Sequence, residues 1–201
     1  MTPERAEKIK RILNHRQPGL VVVMENVNDP HNISAVLRTC DAVGIQDVFI
    51  LSTKVPRHAR LNNPSAASAF GWLTIHQFED TEACMAAVRQ RADKIYATHL
   101  GVQSHSLYDL NLTENVALVF GNEHAGVTEE CLKHCDGNFI IPMVGMVQSL
   151  NISVACAITL YEAFRQRQQA GFYDGTPRLS PEVQSELSLK WRIYPERPKP
   201  E

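Results

Sequence analysis

Six apolar runs recur along the chain, LVVVMENV, DVFILS, WLTIHQF, KIYATHL, NVALVFGN and GNFIIPM, and helical patterns fall between most of them. A run that is apolar at nearly every position has no face suited to water, so each strand must be covered on both sides. Strands joined through helices rather than tight turns pair in parallel. The expected fold class is therefore α/β, a mainly parallel sheet with helices on both faces. A chain of 201 residues that is 44% hydrophobic can build such a core.

The helical segments divide the chain. ERAEKIKRILNHRQPG places Ile9, Ile12 and Leu13 on one side, with Lys8, Arg11 and Arg16 elsewhere, and stops at Pro18-Gly19. Residues 1–19 are expected to form a basic helical extension. DPHNISAVLRTCDAVG predicts a turn and a helix capped by Asn32 and ended by Gly44. Its positions Ile33, Val36, Leu37, Cys40 and Val43 then face the sheet, and Arg38 points away. Further helices are expected in SAASAF, TEACMAAVRQRA, TEECLKHC and a long segment from near Leu150. The main domain is expected over 20–170. Residues 171–201 form a C-terminal extension in which prolines bracket one short helical pattern.

Composition narrows the possible partners. A formal net charge of -2 excludes a globally basic surface, so a nucleic acid would have to be met by local patches. The five cysteines lack the dense spacing of a secreted disulfide framework and fit a reducing cytoplasm. MTPERAEKIKRIL has no signal-peptide core, and no apolar run approaches the roughly 20 residues that span a bilayer. A cytoplasmic protein without a membrane segment is expected.

In an open parallel sheet, ligands gather beyond the carboxyl ends of the strands. The loop NDPHNISAVLR lacks the G-x-G-x-x-G of a dinucleotide fold and offers Asn32 and Arg38 instead. Alone, Asn32 reads as a cap and Arg38 as a surface arginine near Asp41. LVFGNEHAGVT sets Gly121, Glu123 and Gly126 at the end of a strand, which suits either a ligand or a plain turn with Thr128 as the next cap. IPMVGMVQSLN crowds Gly145, Gln148, Ser149 and Asn151 at a helix entrance where one cap suffices. That surplus suggests a site for a flat heteroaromatic base. CLKHC supplies Cys131, His134 and Cys135, but no second cysteine-histidine group follows, so no metal is expected. His31 has no evident acid partner and suits a substrate contact.

Together the three loops resemble the SpoU/TrmH branch of the SPOUT superfamily, the ribose 2′-O-methyltransferases. The resemblance rests on NISAVLR, on LVFGNE and on IPMVGMVQSLNISVACAITLYEA, and runs from about Val21 to Gln169. It implies a C-terminal deep trefoil knot, a homodimer with a shared active site, and S-adenosylmethionine as cofactor. The cofactor would lie between the loop from Ile141 to Leu150 and the strand ends at Thr98 to Gly101 and Phe120 to Glu123. Cofactor-binding residues are then Thr98, Leu100, Gly101, Gly121, Ile141, Met143, Ser149 and Leu150. Arg38 carries catalysis by the same resemblance, supported by Asn32, Glu123, Ser149 and Asn151.

The implied substrate is a ribose 2′-hydroxyl of tRNA, at the D-loop guanosine 18. Ribosomal RNA is the competing substrate, and a non-catalytic RNA-binding module is the alternative class. Phosphates require positive groups, for which the candidates are Lys8, Lys10, Arg11, Arg16, His31, Arg57, Arg60, Arg165, Arg167 and Arg178. Each of these taken singly is equally a solvated surface charge.

Overall fold

The apolar runs pair side by side and all in parallel. The computed structural model describes residues 2–56, 67–101 and 104–193. Its strands are β1 (Leu20–Glu25), β2 (Asp47–Leu51), β3 (Thr74–Phe78), β4 (Lys94–Thr98), β5 (His105–Ser106), β6 (Val116–Phe120) and β7 (Gly137–Ile140). They form one sheet in the order β3-β2-β1-β6-β4-β7-β5. The short β5, and the 3-10 turn Leu107–Asp109 after it, lie between two runs that the sequence separates only by a polar stretch.

Helices α1 (Pro3–Asn14), α2 (Pro30–Ala42), α3 (Ala67–Phe70), α4 (Thr81–Arg89), α5 (Glu129–Leu132), α6 (Ile152–Gln169) and α7 (Pro181–Ile193) complete the chain. The residues preceding Ala67 that sequence assigned to α3 lie outside the described residues. No helix among the described residues is long and apolar enough to cross a membrane.

Successive residues of β1 point to opposite faces, and all six of its residues are buried. Leu20, Val22 and Met24 join a core built with α2 and α6, including Ile33, Leu37, Cys156 and Leu160. Val21 and Val23 join a second core with Cys84, Met85 and Val88 of α4 and Cys131 of α5. A smaller cluster packs Ile9 and Leu13 of α1 against Leu187 and Trp191 of α7.

One sequence expectation fails at the start of α2. Asp29 is its N-cap, with its side chain accepting the N–H of His31 at 2.8 Å, and Pro30 follows at the favoured first position. Asn32 therefore sits inside the first turn, where its amide is free for another use.

Two arginines expected at the surface are buried along the amino-terminal edge of the sheet. The Arg167 guanidinium donates to the carbonyls of Leu112 (2.8 Å), Gly19 (2.9 Å) and Glu114 (2.6 Å) and to Gln17 Oε1 (3.2 Å). Arg16 donates to the carbonyls of Ile45 (2.8 Å) and Trp72 (3.0 Å), pairs with Asp41 at 2.7 Å and lies over the Trp191 ring. Neither is placed to meet a phosphate: both are buried, and most of their bonds run to the backbone that leads into the strands. Arg167→Met would fill similar space while leaving those carbonyls unpaired, and should destabilise the fold by at least about 3 kcal/mol in urea unfolding. A midpoint equal to the parent's would show that the carbonyls do not depend on it.

Candidate active site

Every strand of this sheet ends on the same edge, and the order of strands reverses beside β1: β2 and β3 lie on one side, β6, β4 and β7 on the other. Loops leaving β1 and β6 therefore diverge and leave a crevice between them. Residues 26–32, residues 121–128 and Asn151, the last residue before α6, meet there.

A chain of hydrogen bonds ties the three loops together. Asn32 Nδ2 donates to Glu123 Oε1 at 2.9 Å, and Asn151 Nδ2 donates to Asn32 Oδ1 at 3.1 Å. Asn151 Oδ1 in turn accepts the N–H of Ser153 at 2.8 Å and caps α6. A carboxylate only accepts, so it fixes the amide orientation of Asn32, which fixes that of Asn151. Asn32 is 8% exposed, so the chain is partly shielded from water.

Burial pushes the Glu123 carboxyl up, but bonds from Asn32, from its own N–H and from the N–H groups of Asn28 and Asp29 outweigh that and hold it below its ordinary value. Glu123 is thus an anion at neutral pH.

The turn carrying Glu123 is tightly closed. Asn122 and Gly126 exchange two backbone hydrogen bonds, at 3.0 and 2.9 Å, and Gly126 has φ +70°. A Cβ on Gly121 would lie 2.2 Å from the Gly126 carbonyl carbon, so no side chain fits there. Buried Glu25, at the end of β1, accepts the backbone N–H of Thr128 at 2.9 Å and its hydroxyl, which anchors the far end of the turn. Sequence reading passed over Glu25, Asn26 and Asn122. The available signal was a glutamate ending an otherwise apolar strand, since an acidic side chain there is buried only if paired.

The residues expected around a cofactor line the adjoining strand ends. Thr98 Oγ1 donates to the Val119 carbonyl at 3.2 Å, and the His99 N–H donates to the Phe139 carbonyl at 3.3 Å, so the ends of β4, β6 and β7 are tied. Gly101 donates its N–H to Ser104 Oγ at 2.8 Å, while Asn138 Nδ2 holds the His99 carbonyl and Ser104 Oγ at 2.9 and 2.6 Å. Leu100 is 80% exposed beside them. Ile141 packs partly against the core, Leu150 is half-buried, and Met143 and Ser149 are exposed on the intervening loop.

Ser149 and Arg38 stand outside the Glu123–Asn32–Asn151 chain. Arg38 is exposed on α2, on the same side as His31. Among the basic candidates, Lys8, Lys10 and Arg11 are exposed on α1. The Arg165 fork is taken by Glu162, at 2.8 and 2.7 Å, and Arg178 stacks 3.4 Å from the Phe172 ring centroid. Arg57 and Arg60 lie outside the described residues.

A carboxyl whose folded pKa is lowered contributes stability that is complete above the ordinary value and is lost as pH falls through the folded one. Glu123→Gln should therefore be less stable than the parent at neutral pH, and should lose less further stability between about pH 5 and about pH 3. Urea titrations across that window measure it; parallel losses in the two proteins would mean that Glu123 is not held as its contacts require.

The description "SpoU rRNA Methylase family" matches residues 19–161. A relative from Thermus thermophilus named tRNA (guanosine(18)-2'-O)-methyltransferase is 40% identical over 192 residues, covering 94% of this chain and 96% of its own. Among solved structures, the A. aeolicus TrmH/SpoU tRNA modifying enzyme superposes with a TM-score of 0.84 at 35% identity, covering 94% of both chains. The SpoU methyltransferase AviRb from Streptomyces viridochromogenes, in complex with the cofactor AdoMet, gives 0.63 at 25% identity over 74% of this chain and 60% of that one. The family match falls on the three loops that meet at the crevice as well as on the sheet that carries them, and the chain belongs to the SpoU rRNA Methylase family.

Proposed function

We propose that the protein transfers a methyl group from S-adenosylmethionine to a ribose 2′-hydroxyl of tRNA, at the D-loop guanosine 18. The observation that carries this reading is the joining of Glu123, Asn32 and Asn151 across three loops, beside a wall suited to the cofactor. Near full-length likeness to a tRNA (guanosine(18)-2'-O)-methyltransferase supplies the choice of substrate.

The residues present fit the cofactor. Main-chain groups of residues 141–150 make no hydrogen bond among the described residues, so they are free to meet the edge of an adenine. Met143, Val144, Met146 and Val147 are exposed on the same loop and offer apolar surface to its faces. Thr98 ends β4, and the exposed Leu100 follows it in the segment that would form the other wall. When bound, S-adenosylmethionine supplies a methyl group on a positively charged sulfur.

The chain's own residues deal with the attacking hydroxyl. Arg38 presents a planar guanidinium whose fork matches an oxygen that carries negative charge. Its role is to align the ribose and to stabilise the negative charge that develops on the 2′-oxygen as the hydroxyl proton is lost to water. The anionic Glu123 accepts from Asn32 and keeps both asparagine amides in one orientation, which gives the incoming nucleotide a fixed polar wall. Ser149, exposed with no partner among the described residues, is free to contact cofactor or ribose.

A homodimer belongs to the same reading. Val154 and Tyr161 are exposed on α6, as are Val144 and Met146 on the loop before it, and a second copy would cover such apolar side chains. In that arrangement Arg38, exposed on α2, would serve a site shared with the second copy. Sedimentation of the parent as a monomer at micromolar concentration would contradict this arrangement. The trefoil knot implied by the resemblance is part of the proposal as well. In its favour, β7 enters the sheet between β4 and β5, both of which precede it in sequence.

The direct test is transfer of labelled methyl to unmodified tRNA, with the product mapped by nucleoside mass spectrometry. A 2′-O-methylguanosine in the D-loop is expected, and methylation confined to ribosomal RNA would reassign the substrate. Arg38→Ala should abolish transfer. Arg38→Lys should lose on the order of 100-fold in kcat, because a point charge replaces the planar fork. Near-parent turnover by the lysine variant would remove the alignment role.

A further inference from the structure

Asn26 follows the last residue of β1 and is the one non-glycine residue with positive φ, +52°, among those described. Asparagine tolerates the left-handed region far better than most side chains. The conformation turns its side chain toward the chain leaving β2 and its carbonyl toward the turn leaving β6.

Each polar atom of Asn26 is used. Its N–H donates to the Leu51 carbonyl at 2.7 Å. Its Oδ1 accepts the N–H groups of Thr53 and Lys54 at 2.9 and 2.8 Å, and its Nδ2 donates to Thr53 Oγ1 at 3.0 Å. On the other side, its carbonyl accepts Asn122 Nδ2 at 2.8 Å. Asn122 reaches Glu123 Oε2 at 3.4 Å with the same amide, and its Oδ1 accepts the N–H groups of His124 and Ala125 at 2.9 and 3.0 Å. Asn26 is only 3% exposed, so these bonds are shielded and a lost partner would not be replaced by water.

We propose that Asn26 is a positioning residue for methyl transfer, holding the chain after β2 and the Glu123 turn in one fixed relation. This deepens the methyltransferase reading and rests on it. A residue that merely terminated β1 would need no bonds to both neighbouring loops, whereas Asn26 reaches one with its side chain and the other with its carbonyl. Asn26 instead joins them across the end of the central strand, so a displacement of Thr53 and Lys54 is carried through Asn26 and Asn122 to the carboxylate that orients Asn32 and Asn151.

Two variants separate the side chain from the backbone. Asn26→Gly keeps the left-handed turn and the bonds of the main chain but removes the hold on Thr53 and Lys54. Asn26→Asp keeps the acceptor for both N–H groups. The glycine variant should lose about tenfold in kcat for tRNA with its calorimetric affinity for S-adenosylmethionine unchanged, while the aspartate variant should recover most of the rate. Combined with Asn122→Ala, the glycine change should cost less than the product of the single losses, because both act on one linkage.

A glycine variant with parent kcat, an aspartate variant as slow as glycine, or a matching loss of cofactor affinity would each overturn the proposal. Amide exchange at Thr53, Lys54, His124 and Ala125, read without RNA, tests the clamp apart from activity. Faster exchange at all four in the glycine variant is expected, and unchanged exchange at His124 and Ala125 would overturn the coupling. A parent inactive on every RNA overturns the functional reading, and the exchange data then decide the clamp alone.

Discussion

Parallel pairing of β1 with both β2 and β6 is the constraint from which the remaining architecture follows. Because β1 is buried on both faces, α2 and α6 must cover one side and α4 and α5 the other. Because its neighbours run the same way, the chain always emerges at one edge, and reversal of strand order beside β1 opens a crevice there. The polar groups at that edge are consequences of this placement: they occupy a region where chain segments leaving different strands pass close together and bond one another.

Within the crevice, order is set by a charge rather than by shape. An amide can turn over and exchange its donor for its acceptor at little steric cost, so two adjacent asparagines would have several arrangements of similar energy. An anionic neighbour removes that freedom for the first and, through it, for the second. The carboxylate is stabilised by the N–H groups of the turns around it, which keeps the arrangement intact across the neutral range. Rigid loops and a fixed pattern of donors thus arise from the same few residues.

The sheet and its two covering layers were legible in the sequence because strands buried on both faces carry an unbroken apolar signal. The order of strands was not, since nothing in GNFIIPM states that it inserts between two earlier strands. Asn32 and Asp29 both lie in NDPHN, and either could cap; the Asp-Pro pair, with proline at the first helical position, was the better sign. Asn151 could be read as a cap, whereas its bond to Asn32, 119 residues away, had no local trace. Arg16 and Arg167 looked like surface charges because their acceptors are carbonyls from distant segments, which no composition or periodicity reveals. Asn26 was hidden for a different reason: it lies where the strand pattern ends, and left-handed backbone leaves no hydrophobic signature.

The two edges of the sheet use their polar groups in opposite ways. At the amino-terminal edge, Arg16 and Arg167 bind main-chain carbonyls from several segments; at the carboxyl-terminal edge, amides and a carboxylate hold loops whose outer groups stay open. Substitutions at the first edge change the fraction of chains that are folded, and hence abundance in a cell where unfolded molecules are removed. Substitutions at the second change what each folded molecule can do. A lineage could therefore alter its loops, and the RNA they recognise, over many generations while the guanidinium-bound edge keeps the same chain foldable.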